Sequence, residues 1–446
     1  MKTALFIMLP VPSHYNACFG LANQLRMQGY RVVFSGTRDL QKHVEAQDFE
    51  FTILHCLEEY LVNNWRAALG FFLKNIVNKR FTLLRYREFL ESLQAVREIC
   101  LAVDPDEIFI DQHLNHYYFL LHQQYKNITL VNSKLPTRRQ KGIPPLTCDT
   151  PFRDSFVYRL LANVLWRAYL AKRGALSILK KAVFLGADDQ YFLKRFSSRQ
   201  GVDIDLFRRR DNALYESIRN VPIIHLRPRF LEYDWYVPDE YERFVYYAFE
   251  KKSNDSQDSS AIWTSIYALR NDANTKKKNL IYASLGTLGA LHKAVATGFF
   301  RRLITAVEHI PDTYLIISAG EMYTDIANRQ NEKVLITRFM PQTELLPYCD
   351  LMVTHAGMNS ICECLTAGVP MLAYPLNYQS DQPGNAARLV AKGLGIKGNL
   401  RRDSARNIRM KIMELLNNLT YRDNVGQVNM NPINDWNLET DLAKSP

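Results

Sequence analysis

The chain has 446 residues, 47% of them hydrophobic and 23% charged, with a formal net charge of +11. That length and mix predict two sizeable globular domains and exclude a disordered or fibrous protein. The Lys and Arg surplus is dispersed among aromatics and acids and forms no nucleic-acid-binding motif, so it suits anionic small molecules or an anionic membrane surface. The seven cysteines are irregularly spaced and read as free thiols in a reducing compartment. No apolar run approaches a membrane span.

Taken in order, Ala4–Leu9 is an apolar run suited to a buried parallel strand; without a small-residue cleavage site it reads as a strand rather than a signal peptide. A turn through Pro10–His14 follows, then a helix from Asn16 to Met27, a stop at Gly29 and a second strand from Arg31. This βαβ opening places His14 at the carboxyl end of the first strand, where open α/β sheets bind ligands. Asn64–Leu90 and Val157–Leu179 are basic, aromatic-rich helical stretches. The apolar spacing at 157, 160, 161, 164, 165 and 168 reads first as a core face, with a lipophilic pocket wall or a membrane-resting surface as the alternative. In the next strand, Ile108–Ile110, Asp111 stands at the same edge as His14 and also suits a helix cap. Asp104 and Asp106 lie at the opposite edge, away from any metal site there. His113 and His116 are spare imidazoles beside it. Gly186–Asp189 and Pro222–Leu226 read as later strand ends. The polar run Ser253–Ser260 and the Lys276–Lys278 charge run mark an interdomain connection. The expected division is therefore 1–238 for the first domain, 239–278 for the linker, 279–424 for the second domain and 425–446 for an irregular tail.

The second domain repeats the alternation of strand and helix: Leu280–Ser284 leads into Gly286 and Thr287, and further βα units follow. Its most informative stretch runs from Phe339 to Leu389. The strand Leu351–Val353 ends in a tight turn through His355 and Gly357, and a helix takes over near Asn359. Helix N-termini of this kind bind phosphate through unpaired N–H groups and partial positive charge. Gly357 is expected to let the chain reverse. Asn359 and Ser360 can add donors, and Glu363 one turn on suits a ribose diol. A second strand leads to Asp381 and Gln382. Phosphate, diol and a polar pair in this sequence describe a nucleotide-sugar site.

The string PQ…THAGMNS…E…GVP…P…DQPGNAARL resembles the donor signature of the family 1 glycosyltransferases, which use UDP- or TDP-sugars. In motif it is nearest to the carotenoid and macrolide glycosyltransferase branches. The resemblance implies a GT-B architecture, two doubly wound parallel sheets facing across a cleft. It also implies roles: Phe339 and Gln342 at the base; Gly286, Thr287, His355, Gly357, Asn359 and Ser360 at the pyrophosphate; Glu363 at the ribose; Asp381 and Gln382 at the sugar. His14 would be the general base and Asp111 its orienting partner, although Ser13 and Ala17 replace the usual Gly and Pro around that His. The implied reaction is inverting transfer of a hexose, glucose by analogy, to a hydroxyl of a lipophilic acceptor, with no metal and no cofactor beyond the sugar nucleotide. A cytoplasmic enzyme, with peripheral membrane contact as a further expectation, fits this set. Two other readings share the pattern: a nucleotide-sugar epimerase on the same fold, and a catalytically silent auxiliary subunit.

Overall fold

The computed structural model of the protein describes residues 1–54, 65–77, 80–209, 217–248, 278–286 and 292–428, with residues 214, 263, 264, 266, 289 and 430 between and beyond them. Thr287, most of the expected linker and the tail from 431 lie outside the described residues.

Seven short strands, buried along most of their length, make the first sheet: β1 Thr3–Ile7, β2 Arg31–Gly36, β3 Glu50–Ile53, β4 Glu107–Asp111, β5 Ile128–Asn132, β6 Ile223–His225 and β7 Glu242–Phe244. They pair in the order β3-β2-β1-β4-β5-β6-β7, every pairing parallel. Near-continuous apolar strands such as Ala4–Phe6 require cover on both faces, which is what an all-parallel sheet provides. The stacked rings of Phe6, Phe34 and Phe109 fill one face. A second sheet follows from β8 Asn279–Ser284, β9 Thr313–Ser318, β10 Val334–Thr337, β11 Leu351–Thr354, β12 Met371–Ala373 and β13 Gly395–Lys397. Its order is β10-β9-β8-β11-β12-β13, again parallel. Both sheets thus reverse direction of growth once, between β1 and β4 and between β8 and β11. At such a switch point neighbouring connections diverge and leave a crevice at the strands' carboxyl ends.

Several expectations shift. The helix α1, Pro12–Met27, starts four residues early because Pro12 occupies its first turn, where a ring-fixed φ and a missing N–H cost nothing. His14 therefore sits on a helix rather than in a loop. The first domain extends past residue 238, since β7 pairs in its sheet. Gly186–Asp189 is not a strand end: Asp188 accepts from the Tyr191 N–H and caps a helix, Asp189–Arg199. Asp106 accepts from the Thr3 N–H and ties two strand starts together. The long helix that follows β5 in the chain, Phe156–Val183, buries Ala162, Trp166 and Val183, whereas Val157, Leu160 and Val164 face solvent. Apart from Leu165, which packs against a small core cluster, that apolar stripe is not a core face. Val428 and Met430 pack on the second domain's core. Among the described residues no helix is long and apolar enough to cross a membrane.

The two domains meet over buried polar contacts. Arg388, on the helix Gln382–Ala391, donates to Glu232 at 2.6 Å, and both side chains are 1% exposed. The guanidinium also lies over the Tyr233 ring. Gly384 N–H donates to the Leu146 carbonyl, and Lys397 pairs with Asp149 at 2.8 Å. A buried pair of this kind is far more costly to break than it was to form, because one partner is left as an unneutralised charge. Arg388→Met is expected to destabilise the protein by about 3–5 kcal/mol in denaturant unfolding, and the double variant Arg388→Met with Glu232→Gln to recover much of that loss.

Candidate active site

The first sheet's switch point holds an imidazole–carboxylate pair. His14 leaves the end of β1 on the first turn of α1, and Asp111 ends β4, the strand hydrogen-bonded to β1. His14 Nδ1 lies 2.6 Å from Asp111 Oδ2, and the two residues are 6% and 1% exposed. Asp111 Oδ1 accepts from both the backbone N–H and Nδ1 of His113 at 2.9 Å. The carboxylate thus orients His14 and caps the following turn at once. A carboxylate only accepts, so both Nδ1 atoms carry hydrogen and the lone pair of His14 is on Nε2. Ser133 Oγ stands 3.3 Å from His14 Nδ1 and helps to hold the ring.

Electrostatics fix these states. Burial alone would raise the Asp111 carboxyl, but the charges and hydrogen bonds of His14 and His113 outweigh it and hold it well below the usual carboxylate range. Burial pushes His113 down to about 4 against the pull of Asp111. It is therefore neutral near pH 7, and its Nε2 lies 3.5 Å from Lys134 Nζ. His14, Asp111 and His113 offer ligand atoms within 4.8 Å of one another, a grouping compatible with a metal ion. An ion there would have to displace N–H···O bonds that already satisfy both carboxylate oxygens. His116 is half-buried elsewhere, its buried Nε2 unbonded, and desolvation holds it down at about 4.

The second sheet's switch point holds the complementary half. Gly286 follows β8 and His355 follows β11, its paired neighbour. The His355 ring is packed between two glycines. A Cβ on Gly286 would lie 2.5 Å from Cε1 of that ring, and one on Gly357 would lie 2.3 Å from Nε2. Gly357 has an ordinary φ of −66°, and it is Ala356 that turns the chain, at φ 64°. The expectation that Gly357 reverses the backbone is corrected: its missing side chain makes room for the imidazole. His355 Nδ1 is buried without a hydrogen-bond partner, and burial holds the ring down at about 4 despite nearby Asp381. A buried, neutral, unsatisfied imidazole beside a helix N-terminus suits an anionic ligand that would complete its bonding.

That helix, Met358–Thr366, starts at Asn359's turn. Asn359 Nδ2 donates to the Ser13 carbonyl at 2.9 Å, and its Oδ1 accepts from Arg227 at 2.6 Å. The residue preceding His14 is thus bonded to the first turn of the second domain's helix, which brings both switch points to one cleft. Gln342 Nε2 donates to Glu363 Oε2 at 2.5 Å and to Ser360 Oγ at 3.2 Å, so these three candidates form one cluster. Asp381 accepts from Asn385, which also donates to the Ala356 carbonyl and so braces the strained turn. The Gln382 carboxamide oxygen accepts from the N–H groups of Leu376 and Asn377, fixing the loop after β12. Phe339 is 61% exposed at the rim.

Arg227 was not singled out from the sequence. It is buried just beyond β6, donates to the Ser133 and Leu226 carbonyls as well as to Asn359, and so places a fixed cation beside both halves. The signal available was its position, a basic residue two places past the strand Ile223–His225 at the ligand-binding edge.

The three depressed histidines make acid stability predictable. Below their ordinary value of about 6.5, the unfolded chain binds protons that His113, His116 and His355 refuse until about 4. Stability from these groups is therefore complete above pH 6.5 and lost as pH falls towards 4. Thermal unfolding should show each contributing about 2–3 kcal/mol of that loss by pH 4.5, and His116→Phe should shrink the loss between pH 7 and 4.5 by one such share.

The profile of the UDP-glucoronosyl and UDP-glucosyl transferase family matches residues 274–431. Zeaxanthin glucosyltransferase of Pantoea ananas is 28% identical over 158 residues, covering 34% of this chain and 35% of that protein. Human UDP-glucuronosyltransferase 3A1 is 27% identical over 156 residues, covering 34% of this chain and 29% of its own. The matches thus span about a third of these relatives' length. Among solved structures, the calicheamicin glycosyltransferase CalG4 superposes with a TM-score of 0.64 at 17% identity, covering 95% of this chain and 92% of that one. The glycotransferase of kitacinnamycin gives 0.62, also at 17% identity, covering 95% and 93%. The two parallel sheets facing one cleft are the GT-B fold, and the stretch 274–431 of the second domain matches the UDP-glucoronosyl and UDP-glucosyl transferase family.

Proposed function

We propose that the protein transfers a hexose from a UDP- or TDP-sugar to a hydroxyl of a lipophilic acceptor, with inversion at the anomeric carbon. The observation that carries the reading is the His14–Asp111 pair at 2.6 Å, facing, across the Asn359–Ser13 hydrogen bond, the cradle of His355. His14 Nε2 takes the acceptor proton as the acceptor oxygen bonds to the anomeric carbon, and the bond from that carbon to the diphosphate oxygen breaks in line. Asp111 stabilises the imidazolium that forms. The negative charge gained by the leaving diphosphate is met by His355, the N–H groups of the Met358–Thr366 helix, Asn359 and Ser360, with Gly286 at the neighbouring turn and Thr287, next in sequence, as a further donor. Glu363 and Gln342 take the ribose and base side with Phe339, and Asp381 and Gln382 take the sugar.

Glucose and UDP are the favoured donor parts. Support comes from the matched family description and from the zeaxanthin glucosyltransferase, whose name also supports a lipophilic hydroxyl as acceptor. The reading assigns charge neutralisation to protein donors and requires no metal.

Two measurements test it. Purified protein should bind a UDP- or TDP-sugar saturably and turn it over slowly in excess chelator. His14→Ala should lower kcat by about 10²–10⁴-fold while leaving donor affinity within a factor of two or so, since Nε2 acts only on the acceptor proton. Absence of binding to any sugar nucleotide overturns the proposal. Loss of turnover on chelation, restored by a divalent ion, overturns its metal independence. Gly357→Ala should do the converse of His14→Ala: its Cβ displaces His355, so donor affinity falls while the His14–Asp111 pair is untouched.

A further inference from the structure

The helix α4, taken here as Phe156–Val183 (after α1, with α2 Trp65–Val77 and α3 Phe81–Val103 between), has 28 residues and is about 42 Å long. At 100° per residue its sequence sorts onto two faces. Ala162 and Trp166 point inward, the Trp166 indole donating to the Ile143 carbonyl at 2.8 Å. The opposite face carries Val157, Leu161 and Val164, then alanines 168, 171 and 175, then Ile178 and Leu179. Val157 and Ile178 are 70% and 71% exposed, Val164 60%. Ordinary amphipathic helices turn such a stripe to the core; this one turns it to solvent.

The charges are as one-sided as the apolar residues. The helix contains no Asp or Glu and six cations. Arg159 and Lys180 are paired with Asp154 and Asp189. Arg167 and Lys172 flank the stripe on its two borders, and Lys181 lies near its far end; all three are exposed. The helix α2 runs beside α4, with Phe71 5.7 Å from Phe184, and exposes Leu69, Leu73 and Ile76 together with Lys74. An exposed apolar stripe bordered by basic residues is the pattern that enters a lipid headgroup layer. A second copy of this chain fits less well, because it would set one all-cationic helix against another.

We propose that α4 lies along an anionic membrane surface, with its solvent-facing stripe among the acyl-chain ends nearest the headgroups and Arg167, Lys172 and Lys181 on lipid phosphates. This does not rest on the glycosyl-transfer reading. The test is co-sedimentation of the full chain with vesicles of phosphatidylcholine alone or mixed with phosphatidylglycerol. The expected result is binding to the mixed vesicles, weaker binding to the neutral ones and weakening with salt. Val164→Glu with Ile178→Glu should abolish it, and Arg167→Gln with Lys172→Gln should weaken it about thirtyfold. Both pairs lie on solvent-facing positions, and unchanged melting curves would separate lost contact from lost folding; if the Glu pair melts early, the Gln pair decides. Binding to neither vesicle overturns the proposal, as does binding that neither pair alters. So does a concentration-dependent dimer that the Glu pair dissolves, which would assign the stripe to a second copy.

Discussion

Asp111 accepts hydrogen bonds on both oxygens inside a nearly sealed part of the fold, and much of the N-terminal half is arranged around that fact. A carboxylate with 1% of its surface exposed stays ionised only if its desolvation is offset by nearby donors. The switch point supplies them. β1 and β4 are neighbours whose following chains diverge, so the first turn of α1 and the turn after β4 deliver one imidazole each to the same carboxylate. The outcome is a single defined tautomer for His14, which is what a proton acceptor needs before any substrate arrives.

The second sheet solves a related problem by removal instead of addition. His355 is kept uncharged and unsatisfied by burial between Gly286 and Gly357, while the strain of the turn is borne by Ala356, braced from Asn385. The carboxylate of one switch point is therefore satisfied on both oxygens without a ligand, whereas the imidazole of the other has a buried nitrogen with no partner. That asymmetry agrees with a division of labour in which one half waits, already oriented, and the other is completed by an anion.

The alternation of apolar strands and helices made the doubly wound fold readable, and strand ends located His14, Asp111 and His355 without reference to tertiary contacts. Position along a strand is local information. Three things were not local. Pro12 starting a helix depended on how the chain leaves β1. The space at Gly357 is defined by a ring two residues away, and Arg227 matters only because Asn359, 132 residues further on, folds against it. The outward stripe of α4 was legible as a stripe but not as outward, because periodicity gives the width of an apolar face and not its direction.

The bond between Asn359 and the Ser13 carbonyl ties the first turn of one domain's helix to the residue before His14 in the other. The same carboxamide serves as a strut between domains and lies where a helix N-terminus would receive phosphate. Asn359 Nδ2 carries two hydrogens and gives one to Ser13, so an anion at the helix N-terminus could accept the other without breaking the interdomain contact. Arg227, which donates to the oxygen of that side chain, fixes which way the carboxamide faces. An anion held by that second hydrogen would be fastened to the same side chain that ties the two domains, and its arrival would stiffen the start of α1 beside His14.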